Sequence, residues 1–104
     1  MTEWAQETYK EMIKAVADVE RRLLAVGGDL HADAEAVLLE EGSRQEDLWG
    51  INLYPQKPDR DRIEYTSLIN IKPRQNHRAM EIRDPVLREK IRKIVDQRVV
   101  WDPK

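Results

Sequence analysis

The sequence predicts an α+β fold: a three- to four-stranded, mainly antiparallel meander sheet with a C-terminal helix packed on one face and a short N-terminal helix. Three observations predict it. An apolar repeat of helical spacing follows a proline near the C-terminus. Two runs of strict apolar alternation, each stopped by a proline, lie upstream of it. Short polar turns separate the runs, as in a chain that pairs with itself locally.

Taken in order, Thr2 is placed to cap a helix from Glu3 onward, with Trp4, Tyr9 and Met12 partly on one face. Beyond it two templates compete. Met12, Val16, Val19, Leu23 and Val26 are spaced as in one long helix ending at Gly27-Gly28. Ile13, Ala15, Ala17 and Val19 alternate instead with Lys14, Asp18 and Glu20, as in a half-buried strand. A strand follows at Glu35–Glu41, closed by a Gly42-Ser43 turn. Trp49, Ile51 and Leu53 alternate with Gly50, Asn52 and Tyr54 until Pro55. Ile63, Tyr65, Ser67, Ile69 and Ile71 alternate with polar or outward neighbours until Pro73, and the polar PQKPDRDR loop joins these two strands. Asp84 then caps a helix over 85–99, with Pro85 at its first position, where a missing N–H costs nothing. Leu87, Ile91, Ile94 and Val95 form its apolar stripe.

At 104 residues the chain reads as a single domain, 1–104, large enough for a modest core without staples. It has no cysteine, which excludes disulfide scaffolds, thiolate metal sites and a Cys nucleophile. Its N-terminus has neither the basic start nor the apolar core of a signal peptide, and no stretch reaches membrane-spanning length, so a cytoplasmic protein without a membrane partner is the expectation. Charge is unevenly placed. Residues 1–52 carry twelve Asp/Glu and five Lys/Arg, a net of −7, and residues 53–104 carry eight and thirteen, a net of +5. An anionic partner for the basic half would explain this, but so would neutralisation of one half by the other.

The segments GGDLHAD (27–33), LWGINLYP (48–55) and SLINIKP (67–73) carry a resemblance. Together they resemble a small bacterial family known only as a domain of unknown function, DUF5674, over about Met12 to Val95. The resemblance brings no activity, cofactor or site residue. It implies a strand at about 13–25, since relatives are richer in Val and Ile where this chain reads IKAVADV.

Two polar clusters are candidates for chemistry. His31, Asp33 and Glu35 share one face if their segment is extended, and an imidazole with two carboxylates suits a divalent metal or acid–base work. The competing account is a solvated loop leading into a strand. The second cluster runs from the end of strand 63–72 into KPRQNHR: Asn70, Lys72, Arg74, Gln75, Asn76, His77 and Arg78. Here Arg74 and Arg78 can grip a phosphate or carboxylate, although the segment lacks the glycines of a phosphate loop. Asn70, inside the alternation, is expected to face solvent. A meander would allow His31, Asp33, Glu35, Arg74 and His77 to meet in one pocket. No serine lies in a G-x-S-x-G elbow, so a serine hydrolase is excluded.

The sequence therefore points first to a non-enzymatic ligand-binding or protein-interaction module using the Arg74–Arg78 loop for a small anion. Its first rival is a small metal-dependent or acid–base enzyme centred on His31, Asp33 and Glu35. Its second is a nucleic-acid-associated regulator acting through Arg88, Lys90, Arg92, Lys93 and Arg98, which the absence of a helix-turn-helix or RRM pattern and an acidic pI argue against. The apolar tail around Trp101 and the exposed edges of a small sheet favour a homodimer. No cofactor is specified.

Overall fold

The computed structural model describes residues 12–27, 30–55, 57–58 and 61–98. It is an α+β fold on an open, four-stranded antiparallel sheet. The elements are β1 (Ile13–Asp18), β2 (Leu23–Val26), α1 (His31–Glu40), β3 (Leu48–Leu53), β4 (Ile63–Glu64) and α2 (Pro85–Arg98). Strand order is β2-β1-β3-β4, so two hairpins meet along β1 and β3, and the link through α1 passes across β1. Both the expected N-terminal helix and the Trp101 tail lie outside the described residues.

Residues 13–26 are extended, as the family resemblance implies, and not the long helix of the competing template. They form a hairpin of two strands, however, where one strand over about 13–25 is expected. The reversal is set by Asp18, whose Oδ1 accepts the N–H groups of Glu20 and Arg21, both at 2.9 Å. Arg22, at φ 58°, completes the turn in the left-handed region. Helical spacing across a tight hairpin is then an accident of where the turn falls.

The largest departure is at 31–40, where a helix replaces the expected strand 35–41. HADAEAVLLE is rich in Ala, Glu and Leu, all strong helix formers. Asp33 accepts the Leu30 N–H at 3.0 Å and closes the first turn. At the other end Gly42 stands at φ 103°, its N–H reaching Leu39 O at 3.1 Å while Ser43 N–H reaches Leu38 O at 2.9 Å. That pair of bonds is a glycine-dependent helix stop. The Gly42-Ser43 turn was thus visible in the sequence, but it ends a helix.

Strand 63–72 also shrinks, to Ile63–Glu64. From Ser67 the chain leaves the sheet and crosses over β3 in a 3-10 turn at Leu68–Asn70, where Ser67 Oγ accepts the Ile69 N–H. A second 3-10 turn follows at Pro73–Gln75.

Both sheet faces are covered, which is why every residue of β3 is buried. One face sets Val16 and Leu48 against Ala34 and Leu38 of α1. The other sets Ala15, Ala17, Trp49, Ile51 and Leu53 against Ile82 and against Ile91, Ile94 and Val95 of α2. Each buried Val, Leu and Ile side chain among these contributes about 1.5–3 kcal/mol on leaving water. Helix α2 starts as its sequence predicts, with Asp84 Oδ1 accepting the Val86 N–H at 2.9 Å. No helix among the described residues is long and apolar enough to cross a membrane.

Candidate functional site

A cleft of about 890 Å³ opens between the 3-10 turn at Gln45–Asp47 and the segment Ile71–Gln75. Its walls carry Gln45, Glu46 and Asp47 on one side, and Ile71, Lys72, Pro73, Arg74 and Gln75 on the other. Gln75 Nε2 donates to Glu46 O at 2.9 Å and ties the two walls together.

Lys72 is the unusual member. It is 7% exposed, with its ammonium donating to Gln45 O at 2.8 Å and lying 5.0 Å from the centre of the Trp49 ring. Among the described residues it makes no ion pair. Burial pulls its pKa below the ordinary lysine value, while the charges of Glu35 and Asp47 pull the other way. Glu35 Oε2 is itself buried without a hydrogen-bond partner. Asp47 is held above the usual carboxylate range, first by burial and then by the Asp18 charge, with Arg44 opposing. Asp18 is fully buried and its Oδ2 has no partner. The cleft therefore joins a desolvated ammonium on one wall to a carboxyl of raised pKa on the other, and Arg74 is exposed on the Lys72 wall.

Of the residues the sequence singled out, Arg74 lines this cleft, with Lys72 and Gln75 from the same cluster. Asn70 does not face solvent: it is completely buried, and its carboxamide serves the backbone. Its Oδ1 accepts the Gly50 N–H at 2.7 Å, and its Nδ2 donates to Gly50 O and Met80 O, both at 3.0 Å. Asn76 holds the left-handed position that ends the 73–75 turn, at φ 60°. His77 donates through Nδ1 to Asn70 O at 2.8 Å, since a carbonyl can only accept, and packs edge-on against Trp49 at 5.2 Å. Arg78 is exposed and is not part of the cleft wall.

The His31–Asp33–Glu35 trio does not assemble. Helical geometry keeps His31 and Glu35 in line, four apart, but turns Asp33 away to cap Leu30. His31 donates through Nε2 to Ile51 O at 2.9 Å. Among the described residues no group of three or more His, Asp or Glu side chains converges as a metal site. Nor do His31 and His77 join Arg74 in one pocket, because each ring is held against a different stretch of backbone. The basic face of α2 is largely engaged within the chain: Arg88 pairs with Glu81 and lies over Tyr65, Arg92 with Asp96, and Arg98 donates to Arg22 O. The wall at 45–47 was missed, because GSRQED carries no signal beyond that of a polar turn.

The profile of the family described as "Protein of unknown function (DUF5674)" matches residues 1–98. The chain belongs to this family. No curated protein and no solved structure matches it. The motifs behind the resemblance now have positions: GGDLHAD leads into α1, LWGINLYP contains β3, and SLINIKP is the segment that crosses Gly50 and enters the cleft.

Proposed function

We propose that this protein is a non-enzymatic binding module that holds a small anion, a phosphate or carboxylate group, between Lys72 and Arg74 in the 45–47/71–75 cleft. The observation that carries this reading is the state of Lys72. Burying an ammonium costs several kcal/mol unless its charge is answered. Here a single carbonyl and an aromatic face answer it, and no carboxylate reaches ion-pair distance among the described residues. An anion entering the cleft would supply the missing partner, and Arg74 would add a second, forked set of donors. Arg44 already pairs with Glu46, which lessens the negative charge of the opposite wall.

The test is calorimetric titration of the full chain with inorganic phosphate and with citrate. Saturable binding to at least one of them is expected, lost in Lys72→Met and weakened in Arg74→Ala. The Lys72→Met chain should keep its unfolding free energy to within about 1 kcal/mol, or gain, since an apolar isostere of a buried charge is often neutral or stabilising. Absence of binding to both anions by the wild type, or undiminished binding by Lys72→Met, would overturn the reading.

A further inference from the structure

The two edges of the sheet are treated very differently. Just beyond β4 the chain covers its own outer edge: Thr66 forms a bridge with Glu81, Ile82 N–H bonds to Tyr65 O and Ser67 N–H to Met80 O. At β2, LLAV, no strand among the described residues pairs with the outer edge, and the strand carries no lysine, proline or inward charge of the kind that keeps monomeric edges from pairing. The register shows which groups it presents. Gly27 N–H donates to Lys14 O at 2.9 Å, so by the alternation of an antiparallel ladder Ala25 and Leu23 also face β1. The N–H and C=O of Leu24 and Val26 therefore point outward.

Apolar side chains flank this edge. Val26 is 53% exposed on the α2 side of the sheet. On the α1 side Leu30, which caps the helix, and Val37 within it are 60% and 53% exposed.

We propose that β2 pairs antiparallel with β2 of a second copy of this chain, about a two-fold axis through Ala25, to give one continuous eight-stranded sheet. This inference is independent of the anion site. A two-fold contact requires a surface that complements itself. The outward pair Leu24 and Val26 does so: setting Leu24 of one copy against Val26 of the other closes four backbone hydrogen bonds, and Ala25, small enough for an axis, meets its own mate. The same operation sets the exposed Val26 side chain of each copy against Leu24 of the other.

Size-exclusion chromatography with light scattering on the full chain, over a range of concentrations, tests this. The wild type should run at twice the monomer mass. Val26→Pro removes an outward N–H without touching the β1 ladder and should run as a folded monomer by circular dichroism. Val26→Lys, which keeps every backbone bond, should also be monomeric and covers the case in which the proline variant fails to fold. Hydrogen exchange should show slow Leu24 and Val26 amides in the wild type and a fast Leu24 amide in Val26→Lys. A monomeric wild type overturns the proposal, and with slow Leu24 and Val26 amides it would assign the edge to another part of the chain. A Val26→Lys chain that stays dimeric overturns it as well.

Discussion

Asn70 offers the sharpest test of how the fold is held. Its carboxamide presents to Gly50 the same acceptor and donor that a neighbouring strand would present, so one side chain substitutes for a missing residue of β4. Replacing it by alanine removes three hydrogen bonds, the two to Gly50 buried and the one to Met80 O partly so. Met80 O keeps a bond from Ser67 N–H at 3.1 Å, so the groups left stranded are the N–H and C=O of Gly50. Each unsatisfied group in the interior costs about 1–3 kcal/mol, and the vacated amide adds a small cavity, so Asn70→Ala should lose about 3–5 kcal/mol. That is a large share of the roughly 5–15 kcal/mol that holds a typical domain together. Urea denaturation monitored by circular dichroism would read it as a lower midpoint with an unchanged slope. Asn70→Asp separates the donor from the acceptor. At neutral pH its carboxylate still accepts from Gly50 but meets the Gly50 and Met80 carbonyls with negative charge, so it should be worse than alanine and should recover partly once protonated in acid. A loss below about 1 kcal/mol for Asn70→Ala, typical of a surface site, would refute the argument.

Two further perturbations follow from the same geometry. At Gly50 an added Cβ would stand 2.6 Å from both Cβ and Oγ of Ser67. Gly50→Ala should therefore lose at least about 2 kcal/mol despite alanine's ordinary advantage over glycine, and Gly50→Ala combined with Ser67→Gly should cost less than the two changes summed; strict additivity in denaturation midpoints would count against the clash. Asp47→Asn tests the carboxyl raised by burial and by Asp18. A raised folded pKa means the native state holds the proton more tightly, so this group favours folding at acid pH, and that contribution is lost as pH rises through the folded value. The variant should melt higher than the wild type at neutral pH, with the difference vanishing below about pH 4; an equal shift at both would mean that titration is not its origin.

How much of this could be seen in the sequence depends on whether local and tertiary signals agree. Pro85 and Asp84 act within one turn, and the helix they announce stands almost as predicted, at Pro85–Arg98. In β3 the alternation of Trp49, Ile51 and Leu53 is local, and the strand covers Leu48–Leu53. At Glu35–Glu41 the expected strand gives way because propensity, the Asp33 cap and Gly42 all favour a helix over the same residues. The run at 63–72 failed for a different reason. Its alternation is genuine, but Gly50, twenty positions earlier than Asn70, leaves room for the chain to cross and for a carboxamide to replace the strand. No local reading finds a partner at that separation. The site divided the same way: Arg74 and Lys72 sit in a conspicuous basic run, while the opposite wall at 45–47 becomes a wall only when the sheet has formed.

The fold's lock and the cleft are one construction. Asn70 is fastened to β3 through Gly50, and its own carbonyl receives the His77 ring N–H. Between those two residues Lys72 exchanges backbone bonds with His77, its N–H reaching His77 O at 2.6 Å and its carbonyl accepting the His77 N–H at 3.0 Å. Segment 71–77 is thus a closed loop hung from the sheet at Asn70, and Lys72 takes its position from that attachment. This explains how a buried ammonium is kept beside a cleft and not turned out to water, where its long side chain would otherwise carry it. The Asn70 anchor thus helps to offset the cost of burying Lys72, beside the Gln45 carbonyl and the Trp49 ring that the ammonium meets. A ligand that answers the ammonium's charge would therefore stabilise the 71–77 loop, and through Asn70 that gain would reach β3, the buried strand against which both helices pack.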